Sequence, residues 1–274
     1  MRVAVLGSGS SGNATLVEAG GTRVLVDAGF NPTATVRRLK DLGIDLYPRG
    51  LDAIVVTHEH GDHAGHVPSV AKRTGAPVYV HAGIRLPRLA PSTRVVTYDT
   101  TQAFTIGALR FAAFPVPHDA PQVALRIASA DRTFALVTDL GEEPPGLADF
   151  LRGVDDVLLE SNYCPELLAE SPYPERLRAR IRGPGGHLAN AESAALLARL
   201  VDRGVGRVWL GHLSLRSNSP ERALSEAKRV APNFPVFVLE HGPSRVLHVG
   251  VDEGAVDGLR GLSDASLGSP RVHV

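Results

Sequence analysis

The 274-residue sequence is almost without cysteine, poor in lysine, and has no excess of charge of either sign. Cys164 is the single cysteine, which excludes an internal disulfide and a cysteine-based zinc site, so any metal must be held by His and carboxylates. A reducing, cytoplasmic compartment fits that usage. The 29 Lys+Arg balance 29 Asp+Glu, which removes the strongly basic signature of a passive nucleic-acid binder. Lys40, Lys72 and Lys228 are the only lysines, a bias that reads as codon usage. No window approaches the roughly 20 apolar residues of a membrane span. The apolar stretch within residues 1–6 is too short for a signal peptide. What is present, 43% hydrophobic residues, is ordinary globular composition and excludes disorder, collagen and coiled coil.

No repeat and no long low-complexity linker divides the chain, so a single domain over 1–251 with a Gly/Ser/Asp-rich tail over 252–274 is expected. Glycine-rich stretches separate short strands over 3–6, 15–18 and 23–26, a meander that opens the fold. A helix follows over 33–42, then the apolar strand 53–56, a helix over 65–73, and a succession of strands to residue 137. Beyond Gly141 the pattern turns toward helices, clearest over 191–203, with strands returning at 157–159, 208–210, 236–239 and 245–249. Two batches of strands with helices between them predict an α/β fold of two packed sheets with outer helices.

Directly after the strand 53–56 stands Thr57-His58-Glu59-His60-Gly61-Asp62-His63, four potential ligands within six residues. His58 and His60 alternate and can point one way from a strand end, while Asp62 and His63 follow on the turn into the helix at Gly65. One metal would take His58 and His60, and a second Asp62 and His63. Later segments repeat one grammar, an apolar strand and then a ligand: His118, Asp139 and His212. Ligands at strand ends are held by rigid elements, as a metal site requires.

In this order of motifs the sequence resembles the metallo-β-lactamase superfamily. The resemblance implies an αββα sandwich of two mixed β-sheets, with one metal on His58, His60 and His118 and another on Asp62, His63 and His212. Asp139 would bridge them, and Asp27 would accept hydrogen bonds that orient the histidine loop. The opening Gly7-Ser8-Gly9-Ser10-Ser11-Gly12-Asn13, Glu160-Ser161-Asn162-Tyr163, Gly186-His187-Leu188-Ala189-Asn190 and Leu210-Gly211-His212-Leu213-Ser214 resemble the YycJ/WalJ group. That group is regarded as DNA exonucleases acting from the 5′ end. Ala189 departs from it, standing where the group tends to have Ser.

Two adjacent divalent ions lower the pKa of a shared water toward about 7, so hydrolysis needs no Ser or Cys nucleophile, and Asp62 or Asp139 would orient the water. Zn²⁺ suits His and carboxylate ligation best, with Mn²⁺ the alternative. A phosphodiester leaving as alkoxide wants a proton donor. His187, approached through Gly183-Pro184-Gly185-Gly186 as through a flexible arm, would be that donor or a phosphate ligand. Ser10, Ser11 and Asn13 in the glycine loop could turn toward an anion, and Arg180 and Arg182 in the basic run 176–182 toward backbone phosphates. Asn190 is an ordinary cap for the helix from Ala191, which alone could explain it, and only second a substrate contact. The expected activity is phosphodiester hydrolysis with DNA as substrate, no membrane partner, and self-association compatible with it. The alternative on the same fold is a small-molecule hydrolase: thioesterase, lactonase or cyclic phosphodiesterase. The diiron redox proteins of this fold typically carry Glu at the position of His60 and a flavin domain, and do not match.

Overall fold

The glycine pairs and β-branched runs of the first half build one mixed sheet. In the computed structural model, which describes residues 1–46, 50–86, 89–239 and 245–248, its strands are β1 (Arg2–Gly7), β2 (Ala14–Ala19), β3 (Thr22–Val26), β4 (Ala53–Val56), β5 (Val78–His81), β6 (Val95–Tyr98) and β14 (Arg245–His248). Their order is β14-β1-β2-β3-β4-β5-β6, antiparallel from β14 to β3 and parallel from β3 to β6. The second sheet joins β7 (Phe104–Ile106), β8 (Leu109–Val116), β9 (Gln122–Ala128), β10 (Thr133–Val137), β11 (Asp156–Glu160), β12 (Arg207–Gly211) and β13 (Val236–Val238). It is antiparallel from β7 to β10 and parallel from β10 to β13. The expectation of two mixed sheets is met, and β14 ends at His248; residues 249–274, including the tail, lie outside the described residues.

Three cores hold four layers. Between the sheets pack Val5, Val24, Val55, Phe111, Phe134 and Trp209, all buried. On the outer face of the first sheet, Leu39 of α1 (Pro32–Asp41) and Val67, Val70 and Ala71 of α3 (Val67–Thr74) cover Leu16, Leu25 and Ile54. On the outer face of the second, Leu196, Leu197 and Leu200 of α7 (Asn190–Asp202) and Ala223 and Ala227 of α8 (Pro220–Val230) cover Val137, Leu159 and Val208. Each fully buried Leu, Val or Phe contributes about 1.5–3 kcal/mol, so the cores set the sheet spacing on which the site depends. No helix among the described residues is long and apolar enough to cross a membrane.

The helix expected over 65–73 is α3, and a further short helix precedes it: α2 (Gly61–Ala64) begins within the histidine run, and Gly65 and His66 separate it from α3. Asp62 and His63 therefore sit in a helical turn, not in a turn that precedes one. Three further helices were not expected as such: α4 (Leu147–Phe150), α5 (Pro165–Glu170) and α8. α6 (Glu175–Arg182) realises the helical spacing of the basic run.

Candidate metal centre

Every candidate ligand lies at one rim of the sandwich, because β3, β4, β8, β10, β11 and β12 all run toward it and end there, as active sites on parallel strands do. At that rim Asp27, Asp139 and His212 have φ of 59°, 58° and 53°, the only non-glycine residues with positive φ among the described ones. Such backbone costs about 1–3 kcal/mol per residue and persists where surrounding structure fixes it. Three strained residues at three strand ends thus converge on one place. Gly29 permits the close approach: a Cβ there would lie 1.9 Å from the Asp62 carbonyl oxygen. Ala28 N donates to His63 O and Asn13 N to Asp62 O at 2.7 and 2.8 Å, so the first two loops are laced to α2.

The candidate ligand nitrogens are aimed by partners behind them. Buried Asp27 accepts from Thr57 N, from Thr57 Oγ and from His63 Nδ1, each at 2.8 Å, leaving His63 Nε2 facing inward. His58 Nδ1 meets Thr57 Oγ at 3.1 Å, while His58 Nε2 is buried and makes no hydrogen bond. Burial, with His63 beside it, pulls the His58 pKa down to about 2, so this ring is neutral and its lone pair free. His118 Nδ1 donates to Gly186 O at 3.1 Å, and its Nε2 lies 3.2 Å from His60 Nδ1. His58, His60 and His118 form one group with ligand atoms within 4.8 Å of one another; Asp62, His63 and His212 form a second. The Asp139 carboxylate lies between, 3.1 Å from His63 Nε2 and 3.4 Å from His212 Nε2. Burial would raise the Asp139 pKa, but His212 and His63 outweigh it and hold the group well below the usual carboxylate range. Burial likewise opposes charge on His63, and Asp139 and Asp27 overcome it, raising its pKa well above that of a free imidazole.

This donor set fits divalent metal. The buried Nε2 of His58 and of His212 lack hydrogen bonds, and an unsatisfied buried nitrogen costs about 1–3 kcal/mol unless something coordinates it. Imidazole and carboxylate with no thiolate suit Zn²⁺ or Mn²⁺.

Glu160, the last residue of β11 and fully buried, is the residue that ligand spacing did not single out. Its Oε1 accepts from His212 Nδ1 at 2.7 Å and from His187 Nδ1 at 2.8 Å, and its Oε2 from the backbone N–H of Leu140 and Leu188. Burial would raise the Glu160 pKa, but His187 and His212 bring it down to about 2. Against burial, the same carboxylate holds His187 up to about 9. Asp119, also not anticipated, contacts His60 Nε2 at 3.1 Å and Arg180 Nε at 2.6 Å.

A cavity of about 390 Å³ opens onto the centre, lined by Ser10, His60, Asp62, His118, Asp139, His187 and His212 together with Tyr173, Leu177, Arg180 and Ile181. The metal-ligand candidates predicted from sequence are thus brought together, and His187 joins them. The substrate contacts divide. Ser10 and Arg180 line the cavity; Ser11, Asn13, Arg182 and Asn190 do not. Asn13 is buried and bonded to Gly9 and to the Asp62/His63 turn. Arg182 pairs with Glu175, and Asn190 bonds Ser161 and Asn218 behind the site. Nor is Asn190 the cap: α7 is capped at Ala189, whose N–H donates to Glu192 Oε2 at 2.7 Å. The approach to His187 is not a flexible arm. Gly186 N donates to Gly183 O, His187 N to Ile181 O and Asp119 N to Gly185 O, and a Cβ on Gly186 would meet Ile181 O at 2.2 Å.

Fold and donor set define the class: the chain is a metal-dependent hydrolase and belongs to the metallo-β-lactamase superfamily, the β-lactamase superfamily domain model matching residues 22–213. Within it, the chain is 32% identical over 231 residues to exodeoxyribonuclease WalJ of Streptococcus pneumoniae, covering 81% of this chain and 85% of that one. It is 29% identical over 236 residues to exodeoxyribonuclease YycJ of Bacillus anthracis, covering 84% and 89%. Among solved structures, the metallo-β-lactamase fold protein YhfI from Bacillus subtilis superposes with a TM-score of 0.71 at 20% identity, over 90% of this chain and 99% of its own.

Proposed function

We propose that this chain hydrolyses DNA phosphodiester bonds as an exonuclease acting from the 5′ end, using two divalent ions, Zn²⁺ in preference to Mn²⁺. His58, His60 and His118 would hold one ion, Asp62, His63 and His212 the other, with Asp139 touching both. When bound, the pair would supply Lewis-acid activation of water and offset charge on the phosphate.

The observation that carries the reading is His187 beside these groups with its Nδ1 tied to Glu160. That bond leaves Nε2 for the cavity the ring lines, a placement suited to protonating a poor alkoxide leaving group. Arg180 stands at the cavity with Asp119 as its counter-ion, where an incoming phosphate can exchange for the carboxylate. Asp62 lines the same cavity and is placed to orient the attacking water. The exodeoxyribonuclease relatives support end-directed over internal cleavage.

The test is His187→Ala assayed on 5′-labelled DNA and on bis(p-nitrophenyl) phosphate, whose leaving group needs little protonation. The variant keeps its metals and loses about 10²-fold on DNA, and much less on the activated ester. Equal losses would assign His187 to phosphate binding, and no loss would remove it from the mechanism. A wild-type protein that cleaves the ester but no DNA would favour the small-molecule hydrolase instead.

A further inference from the structure

The cavity has two unlike walls. One carries the imidazoles and carboxylates with Ser10. The other carries a run of apolar side chains, Tyr173 just before α6 and Leu177 and Ile181 one turn apart on it, with Arg180 beside them. Hydrolysis at a metal centre needs no apolar wall. α6 has no fully buried residue, so packing on the cluster behind it leaves part of the stripe facing the cavity.

The wall is nonetheless fixed in place. Tyr173 and Ile181 are half-buried, their inner sides packed against Tyr163, Leu168 and Ala189, and α6 is tied to its surroundings by Arg178, which donates to Ala169 O, and by the Arg180–Asp119 pair. The Tyr173 hydroxyl makes no hydrogen bond among the described residues, and the exposed Arg216 guanidinium lies 5.9 Å from its ring centroid. A ligand filling this space must be anionic on one side and apolar on the other. A nucleotide answers to that: phosphate toward the polar wall, base toward the ring.

We propose that Tyr173, backed by Leu177 and Ile181, is the platform on which the base of the terminal nucleotide stacks while its phosphate reaches the metal centre. The proposal rests on the nuclease reading and goes beyond it, assigning what the enzyme recognises apart from phosphate. Tyr173 offers an aromatic ring and Leu177 and Ile181 aliphatic side chains, groups that recognise that a base is present and not which base. Arg216, beside the ring, is placed to accompany the neighbouring phosphate.

The experiment compares oligonucleotides whose terminal residue either carries its base or is an abasic tetrahydrofuran, assayed with the wild-type protein and with Tyr173→Ala and Tyr173→Phe. Base stacking on an aromatic side chain is worth about 1–3 kcal/mol, so the wild type should favour the base-bearing end by roughly 5- to 150-fold in kcat/KM, expressed mainly in KM. Tyr173→Phe keeps the preference and Tyr173→Ala loses it, with metal content as the check that the variant is folded. Equal cleavage of the two ends by the wild type, a comparison that needs no variant, overturns the platform and leaves the nuclease reading intact. So does a Tyr173→Ala protein that retains the preference. If the wild type degrades neither oligonucleotide yet hydrolyses bis(p-nitrophenyl) phosphate, the nuclease reading fails and the platform with it.

Discussion

At Glu160 four donors converge on one carboxylate, two imidazoles and two backbone N–H groups. Glutamine in its place would set its amide NH₂ either against both imidazoles or against both backbone N–H groups, so either His212 and His187 or the two loops that carry the N–H groups would be displaced. Glu160→Gln is expected to lower metal affinity or turnover about 10- to 100-fold, the cost typical of losing a group that orients a ligand, with the fold retained. Chelator-competition titration and DNA hydrolysis measure both; unchanged values would show that the imidazoles are aimed without Glu160. The candidate ligands themselves were legible in the sequence because each follows an apolar strand, a pattern visible in a few residues. Glu160 is the last residue of Asp156–Glu160, and its role exists only because the loops bearing His187 and His212 meet there. Asn13 and Arg182 misled for the same reason. Which neighbour takes up an amide or guanidinium depends on segments tens of residues away.

Elements with a broad apolar face, such as the strands and α7, were legible; α4 and α5 are only one or two turns long, and α8 buries just Ala223 and Ala227. Leu224 and Val230 pack half-buried beside them, so the helical spacing was there to be read, and Ser219 and Pro220 at the start of α8 were a usable capping signal. α7 bears on the site because its first residues follow His187. Its N-terminal cap is half built: Glu192 reaches back to the Ala189 N–H, but Ala189 has no oxygen to return a bond to the N–H of Glu192. Ala189→Ser would complete the reciprocal pair and is expected to raise unfolding stability by about 1 kcal/mol. A denaturant melt reads this directly, and a fall in stability would mean that the buried position beside Tyr163 has no room for the hydroxyl.

The centre takes residues from both sheets, with Asp27 and the 58–63 run carried by the first and His118, Asp139 and His212 by the second. A divalent ion held there fastens the two layers to each other at one rim. Ion present at 100 times its dissociation constant adds about 2.7 kcal/mol to the folded state. At about 2–4 °C per kcal/mol for a chain of this size, chelation should lower Tm by roughly 5–10 °C. Differential scanning calorimetry before and after EDTA, with restoration on adding back Zn²⁺ or Mn²⁺, makes the measurement. A Tm indifferent to chelator would mean that the sandwich closes without metal.

The pairing of β1 with β14, in register from Arg2 with His248 to Val5 with Arg245, bears on how the molecule is made. Among the described residues, the first strand in chain order is paired with the last. At about 5–20 residues per second, one edge of the nascent sheet waits roughly 10–50 s with its backbone N–H and C=O groups unpaired. During that interval a chaperone and a neighbouring nascent chain compete for the same row of hydrogen bonds, a competition that ends at β1 when β14 takes its place beside it.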